Sequence, residues 1–370
     1  MGAANDIRRI EACLQNKFDR KALENKNISG VIGESPSHYS KSPPLWNAVF
    51  ASLGMDAAYL PLDVEESRLA DLLQALKSST RVMGVNVTVP YKMKVMEYLD
   101  GLDERARRIQ AVNTIVRTAQ GRLVGYNTDG QGFLDGILIP QPGKKEPFAG
   151  SLRGLGVLMI GAGGAGRAVA FSLAEKLGSG RLFICNRTAA TARALADEIN
   201  LISGNARAVT ETDIAELAPQ VGLIVNCSIK GQGGIRRMPD GTITSYELYS
   251  ALAPAHPSAL PESEYGKPEF YRDWLSASIE DIELNNRLSL RRALSAPLDT
   301  GFCDLIYFPE ETVFLRHGRL SGHRTLNGRG MIVAQAAGAF FKICKTELAA
   351  LGADDSASYE RIVKIMYHAW

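Results

Sequence analysis

The sequence predicts an α/β fold of two domains, one of which contains a doubly wound parallel sheet. An apolar run, Val157 to Ile160, leads directly into a glycine-rich loop, and a helix-forming run, Arg167 to Leu177, follows it. Further along the chain, strand-like and helix-like runs alternate, which is the pattern of a parallel sheet with helices on both faces. The length of 370 residues is typical of about two domains.

The glycine loop fits the pattern G-x-G-x-x-G at Gly161, Gly163 and Gly166. Gly161 permits the tight turn, Gly163 lets backbone N–H groups approach a pyrophosphate, and Gly166 lets the helix pack closely on the strand. The helix turns its partially positive N-terminus towards the phosphates. We therefore predict a Rossmann dinucleotide site at this loop. The alternative is a glycine-rich turn that binds nothing.

The residues after the second strand of this domain indicate which dinucleotide binds. The strand from Arg181 to Cys185 leads into Asn186-Arg187-Thr188, whereas NAD-binding proteins usually have Asp or Glu about 20 residues past the first glycine. An arginine suits the 2′-phosphate of NADP, which a carboxylate would repel, and Arg193 could assist. NADP is therefore favoured over NAD. The alternative is that Arg187 is a solvated charge at the strand end.

Later elements of this domain are less regular. A strand over 221–226 is predicted, and Asn226-Cys227-Ser228 end it at the carboxyl edge, where ligands bind in such sheets. Residues 231–300 show no clean period and are interpreted as an elaborated connection with some helix near Ile282 to Ala293. A strand over 301–309 follows.

The first domain begins with a predicted helical leader over residues 5–26 and a strand from Ile28 to Gly33. The next loop carries Ser40 and Ser42, which lie on the same side of an extended segment because side chains alternate there. Two hydroxyls placed in this way can bind a carboxylate or a polyol. The equal alternative is that Ser42 caps a helix that begins at Pro43.

Polar residues also lie on apolar elements of the first domain. Asn86 and Thr88 on a strand that ends at Pro90, and Lys92 past its end, take even positions, so they share one face and need partners. A ligand is one way to supply such partners. Near the C-terminus, Gln335 lies on an apolar helix, where its residue type alone favours a satisfied core amide.

Composition and charge argue against several classes of partner. A net charge of +2 argues against nucleic acid or a membrane surface as the main partner, and no apolar run approaches the length of a transmembrane helix. The N-terminus lacks the apolar segment of a secretion signal, so a cytoplasmic location is expected. The five cysteines form no C-x-x-C pair and the five histidines do not cluster with them, so neither a metal site nor a disulfide framework is expected.

Several separate motifs follow one another along the chain: Ser40-Lys41-Ser42-Pro43, Asn86-Val87-Thr88-Val89-Pro90-Tyr91-Lys92, Ala111-Val112-Asn113-Thr114, Asn127-Thr128-Asp129-Gly130, the glycine loop, Asn186-Arg187-Thr188, Asp304-Leu305-Ile306-Tyr307 and Met331 to Ala336. In this order they resemble the motifs of the shikimate dehydrogenase family, which includes shikimate, quinate and mixed-specificity enzymes. The resemblance runs from about Val31 to Phe341, excluding most of 231–300.

The resemblance implies an arrangement of domains and sites. Residues 1–130 and 325–370 would form the N-terminal α/β substrate-binding and catalytic domain, to which the C-terminal helix returns. Residues 131–324 would form the NADP-binding Rossmann domain, with an unusual insertion at about 231–300. The catalytic pair would be Lys92 and Asp129. The substrate contacts would be Ser40, Ser42, Asn86, Thr88, Asn113, Tyr307 and Gln335. The cofactor contacts would be Gly161, Ala162, Gly163, Gly164, Ala165, Gly166, Asn186, Arg187, Thr188, Arg193, Asn226, Ser228 and Gly328.

The chain departs from the family pattern at several positions. Tyr39 and Trp46 stand where the family usually has histidine, and Thr191 stands where many NADP-dependent members have Arg or Lys. Cys227-Ser228 replace an Ala-Thr pair, and the segment 231–300 is longer than its counterpart. These departures bear on specificity more than on chemistry.

The expected reaction is the NADP-dependent interconversion of 3-dehydroshikimate and shikimate in aromatic amino acid biosynthesis, by a monomer or homodimer. Lys92 would supply the proton and act as base in reverse, and Asp129 would orient it, so no metal is needed. The alternatives are a quinate, dual-specificity or aminoshikimate dehydrogenase, a non-catalytic sensor, and a purely structural Lys92–Asp129 ion pair. Ser42, in place of a bulkier Thr, favours shikimate over quinate. A role of 231–300 in docking a partner stays open.

Overall fold

A computed structural model describes residues 3–238 and 240–370, which form two compact units. The first unit runs to Gly136 and also includes Gln141–Lys144 and Gly330–Trp370. The second comprises Ile137–Pro140 and Lys145–Arg329. The division falls a few residues beyond the bounds at 130 and 325 drawn from the sequence, and the functions assigned to the two domains stay predictions.

The elements are numbered in chain order. The strands are β1 (Asn27–Gly33), β2 (Ala57–Asp63), β3 (Val82–Val87), β4 (Gly101–Leu102), β5 (Thr114–Arg117), β6 (Leu123–Tyr126), β7 (Gly156–Ile160), β8 (Arg181–Cys185), β9 (Ala206–Val209), β10 (Leu223–Asn226), β11 (Ile235–Arg237), β12 (Thr242–Ser245), β13 (Leu260–Pro261), β14 (Gly301–Asp304) and β15 (Thr325–Leu326). The α-helices are α1 (Ala3–Glu11), α2 (Pro36–Tyr39), α3 (Ser42–Leu53), α4 (Leu69–Ser78), α5 (Glu104–Ile109), α6 (Asp129–Leu138), α7 (Gly164–Leu177), α8 (Ala189–Asn200), α9 (Ile214–Leu217), α10 (Phe270–Ser295), α11 (Val313–Leu320), α12 (Arg329–Ile343), α13 (Lys345–Ala350) and α14 (Ser356–His368).

The first unit is built on a mixed sheet of order β2-β1-β3-β5-β6-β4. Strands β2, β1 and β3 are parallel, and β5 is antiparallel to both β3 and β6. Adjacent residues of β1 enter different apolar clusters: Ile32 packs with the leucines of α4, and Val31 packs with α3, α12 and α14. Because side chains alternate along a strand, the two clusters cover opposite faces of the sheet.

The second unit contains a six-stranded parallel sheet of order β15-β14-β10-β7-β8-β9. The predicted α/β fold with a doubly wound parallel sheet is confirmed. The strand from 181 to 185 has the predicted bounds, whereas the strand predicted over 301–309 ends at Asp304. It ends there because a side-chain oxygen of Asp304 accepts the N–H of Ile306, at 2.9 Å, and turns the chain. In the described part of the chain, no helix is both long enough and apolar enough to cross a lipid bilayer.

The segment 231–300 is more ordered than its sequence indicates. It forms the antiparallel sheet β11-β12-β13 and the 26-residue helix α10, so the shorter helix predicted near 282–293 is wrong in extent. The sequence shows no clear helical period of apolar residues here, because the buried face of α10 also carries polar residues. Ser278, Asn285 and Ser289 lie on it and find partners inside the fold, such as the backbone N–H of Ser250 for the Asn285 side chain.

The leader is also shorter than predicted, because α1 ends at Glu11 instead of continuing to residue 26. The carboxylate of Glu11 is buried, where it accepts the N–H of Phe18 at 3.0 Å and pairs with Arg20. These contacts reverse the chain and lower the pKa of Glu11, the largest cause being the bond from Phe18. A side chain that binds residues seven and nine positions later is a partner that no helical period can predict.

A buried carboxylate links the ends of β10 and β14. Asp304 accepts hydrogen bonds from Asn226 at 3.0 Å and from Thr312 at 2.7 Å. Removal from water raises its pKa to about 7, against the opposing effect of these bonds. The unfolded chain loses this proton near the ordinary pKa of 3.8, so Asp304 holds an extra proton in the folded state between these pH values.

We therefore expect Asp304 to lower the free energy of unfolding as the pH rises from about 4 to about 7, by at most about 1.4 kcal/mol per pH unit. The Asp304→Asn variant cannot titrate, and its amide can still hydrogen-bond with Thr312. Urea unfolding at pH values of about 5 and 8 should show a smaller loss of stability with pH in the variant. An equal pH dependence in the two proteins would contradict the raised pKa.

Candidate active site

The register of the first sheet brings three polar segments to one edge. Asn86 pairs with Thr114 across β3 and β5, and Thr114 pairs with Tyr126 across β5 and β6. The residues that follow β3, precede β5 and follow β6 are therefore neighbours. These segments contain Lys92, Asn113 and Asp129, three of the residues that the sequence places in the site.

Lys92 and Asp129 form an ion pair, with 2.6 Å between Nζ and Oδ2. The side chains are 14% and 5% exposed, so the pair is nearly enclosed, yet Lys92 keeps an open side. Asp129 is the first residue of α6, whose N-terminus favours a carboxylate. Asn113 donates to the other oxygen of Asp129 at 2.8 Å. The lysine ammonium is thus held in one orientation and can donate a proton to an oxygen placed beside it.

The Asn113 side chain connects the pair to the helix near the C-terminus. Its Nδ2 lies 3.1 Å from Oε1 of Gln335, and its Oδ1 accepts the N–H of Thr128 at 2.8 Å. Helix α12 comes this close because α6 has Gly132 at the crossing, where a Cβ atom would lie 2.6 Å from the backbone nitrogen of Gln335. Gln335 therefore belongs to the cluster around Asp129.

Asn86 is occupied by the protein itself. Its Nδ2 donates to the carbonyl of Asn113 and to the hydroxyl of Thr114, both at 3.1 Å, and its Oδ1 accepts from Tyr59 at 2.8 Å. Only the remaining lone pair of Oδ1 is left for a ligand. Thr88 follows on the same segment and packs beside Gly33. A direct substrate contact stays a prediction for both Asn86 and Thr88.

The expectation of an extended Ser40–Ser42 segment is wrong, because Lys41 has helical angles (φ −84°, ψ −9°). The capping alternative is also wrong: Ser42 is the first residue of α3, and the Ser40 hydroxyl accepts its N–H at 3.2 Å. The Ser42 side chain instead lies beside the Tyr59 phenol. The two serines still lie within one turn of chain.

Tyr59 is a member of the cluster that the sequence reading missed. The phenol is completely buried, which raises its pKa, and it contacts both Asn86 and Ser42. The ring stacks on Trp46, with 4.6 Å between the centroids. The available signal was a polar aromatic residue inside an apolar strand, because a buried phenol needs a hydrogen-bond partner.

Tyr307 lies in the second unit, unlike the other predicted substrate contacts. It follows β14 and is half-buried, and removal from water raises its pKa. Its contact with a substrate stays a prediction. Within residues 3–238 and 240–370, no group of three or more His, Cys, Asp or Glu side chains is arranged to hold a metal ion.

The glycine loop of the second unit has the geometry of a phosphate cradle. Gly161 has a φ of +110°, and a Cβ atom there would lie 2.6 Å from the backbone of Cys227. A Cβ atom on Gly166 would lie 2.5 Å from the carbonyl oxygen of Gly161. A Cβ atom on Gly163 would meet nothing within 4 Å, so the space beside the N-terminus of α7 is open. The loop residues therefore suit a pyrophosphate.

The loop after β8 is tied to the glycine loop. The Asn186 side chain accepts the N–H of Ala162 at 3.1 Å and donates to the carbonyl of Thr188 at 3.2 Å. The exposed Arg187 donates from Nη1 to the Tyr246 hydroxyl at 3.4 Å. Arg193 lies exposed on α8. Arg187 in this loop and Arg193 on α8 therefore present positive charge to solvent beyond the carboxyl end of β8.

The polar atoms of the Asn226 side chain are used by the protein itself, and a direct cofactor contact stays a prediction. The side chain has no exposed surface. Its Nδ2 donates to Asp304 and to the carbonyl of Lys230, and its Oδ1 accepts the N–H and hydroxyl of Ser228. Asn226 thus holds the Ser228 loop in place. Gly328 is also buried, and a Cβ atom there would lie 2.0 Å from the carbonyl oxygen of Leu305.

Comparison with known proteins identifies the family. The model of the shikimate dehydrogenase substrate binding domain matches residues 31–115, and the model of shikimate / quinate 5-dehydrogenase matches residues 144–235. Shikimate dehydrogenase (NADP(+)) from Bacillus subtilis strain 168 is 32% identical over 317 residues, which cover 85% of this chain and 90% of that protein.

Two solved structures have a similar fold. One is shikimate 5-dehydrogenase from Thermus thermophilus in complex with NADP(H) and shikimate, with 28% identity, a TM-score of 0.61, and coverage of 92% of this chain and 99% of that one. The other is shikimate 5-dehydrogenase from Listeria monocytogenes in complex with shikimate and NAD, with 26% identity, a TM-score of 0.65, and coverage of 89% and 96%. From the motifs, the fold and these relatives together, the chain belongs to the shikimate dehydrogenase family.

Proposed function

We propose that this protein is an NADP-dependent shikimate dehydrogenase that interconverts 3-dehydroshikimate and shikimate. The observation that carries the proposal is the Lys92–Asp129 pair, which is held at 2.6 Å among polar groups in a chain that also has an open glycine loop. The relative named shikimate dehydrogenase (NADP(+)) supports it, as does the similar structure in complex with NADP(H) and shikimate.

The residues that would hold the cofactor lie in the second unit. Backbone N–H groups of the loop from Gly161 to Gly166 would bind the pyrophosphate, and Arg187, Thr188 and Arg193 would face the 2′-phosphate. Ser228 would border the site at the end of β10, held by Asn226. When bound, NADPH supplies the hydride that reduces the ketone, and NADP⁺ accepts it in the reverse direction.

Different residues would bind the carboxylate and the ring hydroxyl groups of the substrate. Hydroxyl groups of Ser40 and Ser42 suit the carboxylate of a cyclic hydroxy acid, and Thr88 suits a ring hydroxyl. The Asp129 carboxylate would accept a hydrogen bond from the ring hydroxyl beside the reacting carbon, and Gln335 and Asn113 would lie next to it. Asn86 and Tyr59 would act mainly by fixing these groups.

Lys92 would perform the proton transfer. Reduction places negative charge on the carbonyl oxygen of the substrate, and the Lys92 ammonium stabilises that charge and donates its proton. In the oxidation of shikimate, the neutral amine accepts the hydroxyl proton. Asp129 keeps the Nζ atom in place in both directions, because Asn113 in turn holds the carboxylate at 2.8 Å.

We further propose a cytoplasmic location and a monomeric or homodimeric state. The five cysteines are free thiols, and four of them are buried in the fold. A reducing compartment suits such thiols.

The Lys92→Ala variant should lose turnover by about 10²-fold or more, because the general acid and base is removed. Binding of NADP⁺, measured by calorimetry, should be retained. The matched control is Lys94→Ala, which removes an exposed lysine two residues away that pairs with Glu66. Turnover of the Lys92 variant equal to that of the control would remove Lys92 from the mechanism.

The Arg187→Asp variant should shift preference from NADP to NAD, because a carboxylate repels the 2′-phosphate. The ratio of kcat/KM for NADP⁺ to that for NAD⁺ should fall by roughly tenfold to a hundredfold. Arg181→Asp, which makes the same charge change at the opposite end of β8, is the control. An unaltered ratio in the Arg187 variant would contradict the role assigned to this loop.

A further inference from the structure

One residue of the inserted segment touches the proposed 2′-phosphate site. Tyr246 follows β12, is only 6% exposed, and accepts a hydrogen bond from Nη1 of Arg187 at 3.4 Å. The two residues are 59 positions apart in the chain. The reaction as described gives the segment 231–300 no role, whereas this contact joins it to the residue that would recognise the cofactor.

Tyr246 is fixed from two directions. Its carbonyl accepts the N–H of Gly231 at 2.8 Å, which ties it to the loop that follows β10. Its ring packs on Tyr249, with 6.1 Å between the centroids. Tyr246 therefore contacts the loop after β8 through its hydroxyl and the loop after β10 through its backbone, and both loops follow strands at the carboxyl edge of the parallel sheet.

Helix α10 holds the same stretch of chain on both sides of Tyr246. On one side, Trp274 donates to the hydroxyl of Thr244 at 3.2 Å. On the other side, the Asn285 side chain accepts the N–H of Ser250 at 2.8 Å. The hydroxyl of Tyr246 is therefore presented from a firmly supported segment.

The contact limits the freedom of a long side chain. An exposed arginine has many rotamers, and binding a phosphate through it requires most of them to be given up. The phenol oxygen accepts one N–H of the Arg187 guanidinium, and the other N–H groups of the guanidinium are left for a phosphate. A guanidinium that is oriented before the ligand arrives binds more tightly.

We propose that Tyr246 is a positioning residue that holds the Arg187 guanidinium for the 2′-phosphate of NADP, so that the inserted segment contributes to cofactor preference. The inference rests on the proposed use of NADP. Tyr246 acts through Arg187 and has no part in the proton transfer at Lys92.

The test is calorimetry with two probes that differ in the 2′-phosphate, adenosine 2′,5′-bisphosphate and adenosine 5′-monophosphate. The wild type should prefer the bisphosphate. Tyr246→Phe should weaken bisphosphate binding by about fivefold and leave monophosphate binding unchanged, on the usual size of one hydrogen bond. The control, Tyr249→Phe, removes a neighbouring buried hydroxyl on the same segment and should keep the wild-type preference.

A second measurement checks that the effect passes through Arg187. Tyr246→Phe should change nothing further when added to Arg187→Ala, because the group that it positions is absent. In turnover, Tyr246→Phe should raise KM for NADP⁺ about fivefold and leave kcat and the KM for NAD⁺ unchanged.

The outcomes separate the two proposals. A wild type that binds both probes equally would overturn the use of NADP. A wild type that prefers the bisphosphate, with a Tyr246→Phe variant that keeps the full preference, would overturn the inference about Tyr246 alone. Equal weakening of both probes in the variant would also overturn it, because that result indicates a general loss of structure.

Discussion

The hydrogen bond from Asn113 to Asp129 is the interaction on which the proposed site depends. A buried amide must use its polar atoms, and Asn113 uses them on Thr128 in the turn after β6, on Asp129 of α6 and on Gln335 of α12. The carboxylate held in this way holds Lys92 in turn. The second unit repeats the device with Asn226, whose amide joins Asp304 to the Ser228 loop. In each unit, one buried asparagine sets the geometry of an edge that would bind a ligand.

Much of this arrangement could be predicted because its signals are local. The strand, glycine loop and helix from Val157 to Leu177 follow one another directly, and the positive φ of Gly161 requires the residue that the pattern has there. Lys92 and Asp129 each follow an apolar strand that ends at a recognisable motif. The regular antiparallel pairing of β5 with β3 and with β6 then brings Lys92 and Asp129 together.

The features that the sequence did not predict depend mostly on partners that lie far away along the chain. The hydrogen bond between Asn226 and Asp304 was not predicted, because the two residues lie 78 positions apart in the chain. The extent of α10 was missed because its buried face carries Ser278, Asn285 and Ser289, whose partners come from other elements. The course of Ser40 and Ser42 depends on a backbone angle at Lys41 that residue types do not specify. Hydrophobic periodicity detects elements with an apolar buried face, and the buried face of α10 is partly polar.

The most direct test of the proposed function is the initial rate of nicotinamide reduction by the purified protein, with shikimate or quinate as substrate and NADP⁺ or NAD⁺ as cofactor. We expect fast reduction of NADP⁺ with shikimate and much slower reduction in the other three combinations. Faster turnover of quinate, or of NAD⁺, would contradict the assigned specificity. Absence of reduction in all four combinations would contradict the assignment of Lys92 and Asp129 to this reaction.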